Sequence, residues 1–239
     1  MSRTRIRQLG FWLCLAAIGT CVDAANSRPG FLMFRVCALD WMEAGLVFES
    51  AGKVISVLPP RHTRTQLIEA LASPTIAFFP ESPPNNPGVT RCEPAAVATI
   101  PAGLRRPLLL FEQAPSRGEG YYNVFVVEDS WTSQPAGSVR VVNLSTLQMA
   151  ARVARKDLVI EPGREETATI TELEATHFSA KVALNGPDGW KVDYDTVQQV
   201  VPRMRYLLVC RAVPKAAGAV GLNVALLRDF EPNSAQLQR

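Results

Sequence analysis

"YYNVFVVEDSW", residues 121–131, is answered a hundred residues on by "GLNVALLRDF", residues 221–230, with Asn, Val and Asp at the same spacing. A strand-like run written twice points to a structural unit written twice, and the match grows outward from it. Residues 106–129, "RPLLLFEQAPSRGEGYYNVFVVED", align with 205–229, "RYLLVCRAVPKAAGAVGLNVALLRD", given a one-residue gap after the proline. Arg106, Leu108, Leu109, Pro115, Gly118, Asn123, Val124 and Asp129 then meet Arg205, Leu207, Leu208, Pro214, Gly218, Asn223, Val224 and Asp229. Upstream, "FRVCAL" (34–39) meets "VRVVNL" (139–144), "VISVLPP" (54–60) meets "LVIEPG" (158–163), and Ile100-Pro101 meets Val201-Pro202. Four matched segments in one order argue for two copies of one domain.

Each copy reads as β. Short runs of Val, Ile, Leu and Phe alternate with Gly, Pro, Asn and Asp, the residues of tight turns. "FVV" and "ALL" are continuous apolar runs suited to central strands, while "VRVVNLS" and "KVALN" show partial alternation. "RGEGYYNV" and "AGAVGLNV" place Gly between two apolar runs, which predicts a hairpin in each copy. "TRTQLIEALAS" (63–73) carries Leu67, Ile68 and Leu71 at helical spacing, so it is either a short helix or an irregular crossover. "EETATITELEA" has the same ambiguity. The expected fold is all-β: two tandem immunoglobulin-like β-sandwich domains related by internal duplication.

Residues 1–24 have the form of a signal peptide. Arg3, Arg5 and Arg7 precede the apolar "LGFWLCLAAIGTCV", which falls short of the roughly 20 residues of a membrane-spanning helix, and Val22-Asp23-Ala24 suits cleavage after Ala24. An uncleaved anchor is the alternative; a lipoprotein is disfavoured by Thr20, which stands before Cys21 where a lipobox wants Gly, Ala or Ser. The expected layout is a signal peptide (1–24), a first domain (25–131), a linker "TSQPAGS" (132–138), a second domain (139–231) and a disordered tail (232–239). No later stretch is long and apolar enough to span a bilayer. Cleavage takes three arginines from the 25 basic residues and Asp23 from the 22 acidic ones, leaving 22 against 21. That balance, with no Lys/Arg cluster, gives no footprint for nucleic acid.

Motifs that carry chemistry are sparse. His62 and His177 are the two histidines, too few and too scattered for a zinc or copper site. G-x-S-x-G, P-loop and G-x-G-x-x-G patterns are missing. "NGPDGWKVDYD" (185–195) gathers Asp188, Asp193 and Asp195 but reads as a hairpin with exposed carboxylates. Glu165-Glu166 and Glu128-Asp129 are adjacent acid pairs that nothing in the sequence places across a cleft. No catalytic residue, metal ligand or cofactor is therefore assigned. If one disulfide forms in an oxidising compartment, Cys37 and Cys92 are the pair, since they share a domain; free buried thiols are the alternative. Asn123, Asp129, Asn223 and Asp229 recur in both copies and are expected to be structural, the asparagines fixing the hairpin and the aspartates capping or turning the strand end. What differs between the copies is the better place for function, and the loop "FPESPPNNPGVTRCEP" (79–94), with Pro83, Pro84, Asn85, Asn86 and Pro87, is either a shaped recognition loop or a long surface crossover.

The pattern "AGSVRVVNLS…VIEPGRE" resembles the opening of small immunoglobulin-like domains in secreted bacterial proteins of unknown function, over about thirty residues of the second copy. The resemblance implies the fold and carries no catalytic residue. Together these features lead to the expectation of an exported, non-catalytic binding or assembly protein of the bacterial envelope, in the periplasm or outside the cell, whose partner is an envelope protein or glycan. A periplasmic pilus-type chaperone is the alternative, and an envelope hydrolase a more distant one.

Overall fold

The computed structural model describes residues 30–42, 44–81, 93–104, 106–170, 176–215 and 219–232. The proposed signal peptide, Cys92, the Pro83–Pro87 stretch and nearly all of the proposed tail lie outside the described residues. The first repeat contains β1 (Phe31–Ala38), β2 (Leu46–Ser50), β3 (Lys53–Val57), β4 (Ile68–Leu71), β5 (Thr75–Pro80), β6 (Ala96–Thr99), β7 (Pro107–Gln113) and β8 (Tyr122–Glu128). The second contains β9 (Ser138–Asn143), β10 (Met149–Val153), β11 (Lys156–Ile160), β12 (Glu165–Thr169), β13 (His177–Gly186), β14 (Gly189–Gln199), β15 (Met204–Pro214) and β16 (Val220–Phe230). The one helical turn among the described residues is a 3₁₀ turn at Pro115–Arg117, and no helix is long and apolar enough to cross a membrane.

The duplication is visible in the topology. One sheet of the first repeat runs β4-β1-β7-β8 and its counterpart runs β12-β9-β15-β16; the other sheets run β3-β2-β5-β6 and β11-β10-β13-β14. Registers repeat residue for residue. β1 pairs parallel to β7 with Arg35 opposite Leu108 and Cys37 opposite Leu110, and β9 pairs parallel to β15 with Arg140 opposite Leu207 and Val142 opposite Val209. The hairpin that opened the reading is β7–β8 and β15–β16: Glu112 faces Asn123 in one, Arg211 faces Asn223 in the other. The one-residue gap falls in the connection between these strands, where a longer or shorter turn leaves the ladder untouched.

Each repeat closes two sheets around its own core, as a β-sandwich. The first core is aromatic: Phe34, Phe48, Phe78, Phe111 and Tyr122 form a chain with ring centroids 5.6, 5.4, 5.1 and 6.4 Å apart. The second is mostly aliphatic, with one edge-to-face pair, Phe178 and Tyr206, at 5.0 Å. Turn chemistry follows the sequence where it must: Ala51 and Gly52 both take positive φ (53° and 72°) in the two-residue β2–β3 hairpin, the geometry that matches strand twist. Each of the two ambiguous segments contributes a strand, β4 in the first and β12 in the second, whose residues 171–175 lie outside the described residues. β4 and β12 each pair antiparallel with the first strand of their repeat, and the helical stripe is not used, since Leu67 and Leu71 stay exposed while Ala70 is buried.

A third core joins the two sandwiches. The outward faces of the β4-β1-β7-β8 and β12-β9-β15-β16 sheets meet, burying Cys37, Leu39, Leu108, Leu110 and Val127 against Val142, Leu207, Val209, Ala225 and Leu227. These are equivalent positions in the two repeats, with Leu144 and Phe125 completing the set as partly buried members. The repeats thus dock by the same patch, as the halves of a twofold dimer do. The molecule is a stack of four sheets, and the inner two are buried on both faces. That is why β7 and β15 read as unbroken apolar runs rather than alternating ones.

Candidate functional site

The polar residues that the fold gathers lie at the junction of the sandwiches, around the rim of the third core. Arg35 stands mid-strand on β1 and reaches across the junction: its Nε donates to Asp129 Oδ2 at 2.7 Å, and Nη1 and Nη2 donate to the two carboxylate oxygens of Asp229 at 3.2 and 2.7 Å. Arg205, on β15, returns the contact. Its Nη2 donates to Asp129 Oδ1 at 3.0 Å and to Asp229 Oδ2 at 2.7 Å, while Nη1 donates to the carbonyl of Ser130 at 2.8 Å. Its guanidinium lies under the Trp131 ring, 3.8 Å from the centroid. Arg64 completes the cluster with Nε 3.3 Å from Asp129 Oδ1.

Burial pushes the Asp229 carboxyl up, but Arg35, Arg64 and Arg205 together outweigh it and hold it below the ordinary carboxylate range. Burial likewise pulls Arg64 and Arg205 down from the usual arginine value, against the two carboxylates.

A second polar knot closes another part of the junction. Arg211 of β15 donates in a fork to Asp40, at 2.6 and 2.7 Å, and to Glu112 at 3.2 Å. Hydrogen bonding to Arg211 holds the Asp40 carboxyl low, against burial. Glu112 and Arg211 are equivalent positions of the two repeats, so the duplicated site has diverged into opposite charges that pair with each other. A further arginine, Arg140, the counterpart of Arg35, donates to the Glu128 carbonyl at 2.7 Å and lies 3.3 Å from Glu165.

Two grooves flank the docked sheets at corresponding places. One, of about 670 Å³, lies between β8 and the loop before β12 and is lined by Leu104, Phe125, Glu128, Leu144, Arg164 and Glu165 among others. The other, of about 460 Å³, lies between β16 and the loop before β4, lined by His62, Thr63, Tyr194, Gln198, Leu226 and Arg228. Burial raises the Glu165 carboxyl, Arg140 opposes it, and Glu128 adds to the rise.

The residues singled out from the sequence fall in different places. Asp129 and Asp229 come together in the arginine cluster; they neutralise buried guanidinium groups rather than capping a turn. Asn123 lies exposed on β8 and Asn223 half-buried on β16, both inside their strands rather than in the hairpin connection. Cys37 is a free thiol in the third core, pushed up to about 12 by burial, and its proposed partner Cys92 lies outside the described residues. Cys210 is buried and free as well. His62 contacts the Leu39 carbonyl at 3.0 Å, and His177 is exposed at the start of β13. Among the described residues no three His, Cys, Asp or Glu side chains are grouped to hold a metal. Asp193 accepts from Lys215 and from the Leu222 backbone, and Asp195 pairs with Lys181, so the acidic stretch around them is spent on strand contacts.

Sequence reasoning missed the arginines and Asp40. The signal was present, since Arg35–Arg140 and Arg106–Arg205 are matched pairs, and an arginine repeated inside an apolar strand requires a buried partner. Compared with known proteins, the chain matches no family model and no curated protein.

Proposed function

We propose that the protein is an exported, non-catalytic binding or assembly component of the bacterial cell envelope, acting as one stiff four-sheet body rather than as two domains that open and close. One observation carries this reading: the aspartates that the two repeats share, Asp129 and Asp229, are spent with Arg35 and Arg205 on docking one sandwich on the other. Binding is then left to the outer sheets and their edge strands β3, β11 and β14. On β14 the side chains of Trp190, Val192 and Val197 are exposed. The leader-like N-terminus supports the location.

The test is crosslinking and mass spectrometry of the tagged chain from Ala25 on solubilised envelope of the source organism, with cell fractionation alongside. Reproducible crosslinks from one outer-sheet edge, or from residues 79–94, to one envelope component support the reading. Cytoplasmic retention of the uncleaved chain overturns it. A second reading, an envelope hydrolase, is favoured by Glu128 and Glu165 lining the same groove with Glu165 raised. It requires turnover of a glycan or peptide substrate that Glu165→Gln abolishes.

A further inference from the structure

Arg64 is the one member of the arginine cluster whose charge is not consumed. Its side chain is 3% exposed, and among the described residues none of its three nitrogens meets a hydrogen-bond acceptor in good geometry. The contact to Asp129 Oδ1 at 3.3 Å is an ion pair without hydrogen-bond geometry. Asp229, the other carboxylate, is held by Arg35 and Arg205. Three guanidinium groups against two carboxylates leave one positive charge in a closed site. Buried charges are paired, and a buried guanidinium with open donors is costly.

Arg64 is buried beside the two carboxylates, and its nitrogens have no hydrogen-bond partner among the described residues.

We propose that Arg64 holds a small monovalent anion of the halide class at the junction of the two sandwiches. A monovalent ion balances the single excess charge, whereas a doubly charged phosphate or sulfate would reverse its sign. The planar fork of Arg64 supplies the donors, and Arg35 and Arg205 add a favourable field. The ion would tie domain docking to the halide concentration of the compartment.

The test has two arms, both on the purified full chain. Thermal unfolding is followed as chloride replaces gluconate at constant ionic strength. The expected result is a rise in Tm, logarithmic in chloride, of about 5–10 °C by a hundredfold excess over the dissociation constant, lost in Arg64→Met. In crystals grown from sodium bromide, an anomalous peak is expected within hydrogen-bond reach of the Arg64 nitrogens. A chloride response that Arg64→Met retains, no difference between chloride and gluconate, or bromide peaks only elsewhere overturns the proposal. The bromide arm needs no variant, so it decides the matter even if Arg64→Met does not fold.

Discussion

Removing the carboxylate of Asp129 leaves Arg35, Arg64 and Arg205 facing Asp229 alone, in a site where Arg205 has no exposed side-chain surface. Breaking a buried ion pair from one side costs more than the pair is worth, because the surviving charge stays desolvated. Asp129→Asn is therefore expected to destabilise the protein by about 3–5 kcal/mol in urea unfolding. Asn123→Ala, at an equally repeated but exposed position, should change stability by no more than about 0.5 kcal/mol. The two aspartates and two asparagines were indistinguishable in the repeat alignment, and burial separates them. The pH dependence follows from the same groups. Asp40 and Asp229 both titrate below their unfolded values, so their stabilisation is in full force above about pH 4 and is lost as pH falls through the lower folded values. Tm should be level at neutral pH and drop on acidification, and Asp40→Asn should flatten part of that drop in a Tm series against pH.

At the scale of the strand, β7 shows how one apolar run serves two cores. Leu109 faces the core of its own sandwich, whereas Leu108 and Leu110 face the other sandwich. Leu109→Ala is expected to cost about 2–5 kcal/mol by leaving a cavity, with docking intact. Leu110→Asp places a bare carboxylate between two sheets and should expose the junction itself. Hydrogen exchange separates the two: the first variant speeds exchange in β1, β2 and β7 together, and the second speeds it first along the facing strands β7 and β15. The strands were legible from the sequence because β-branched and aromatic residues bounded by turn residues have few other conformations open to them. The identity of β4 and β12 was not. "TQLIEAL" satisfies helical spacing locally, and only the open side of β1, waiting for a partner, decides for a strand.

At the scale of the whole molecule, the four sheets should unfold as one unit, because the third core and the Arg211–Asp40–Glu112 knot couple the sandwiches. A single calorimetric transition with equal calorimetric and van't Hoff enthalpies is expected. Arg211→Glu sets three carboxylates against one another at the junction and should split that transition in two; two transitions already in the unaltered chain would refute the coupling. The sequence alone determined the duplication, the all-β class, the sandwich layers and the presence of a hairpin in each repeat, since all of these follow from local periodicity and from a pattern repeated at constant spacing. Only the tertiary structure decided what the repeats do to each other. "LLLF" and "YLLVC" say that a strand is buried on both sides, but not by what. The charges of Arg35, Arg64 and Arg205 are separated along the chain from Asp129 and Asp229, and become a site only when sheet packs on sheet. The physical reason is range: hydrogen-bonded ladders are specified by neighbours in sequence, while desolvation and charge pairing are properties of a place in space that distant segments build together.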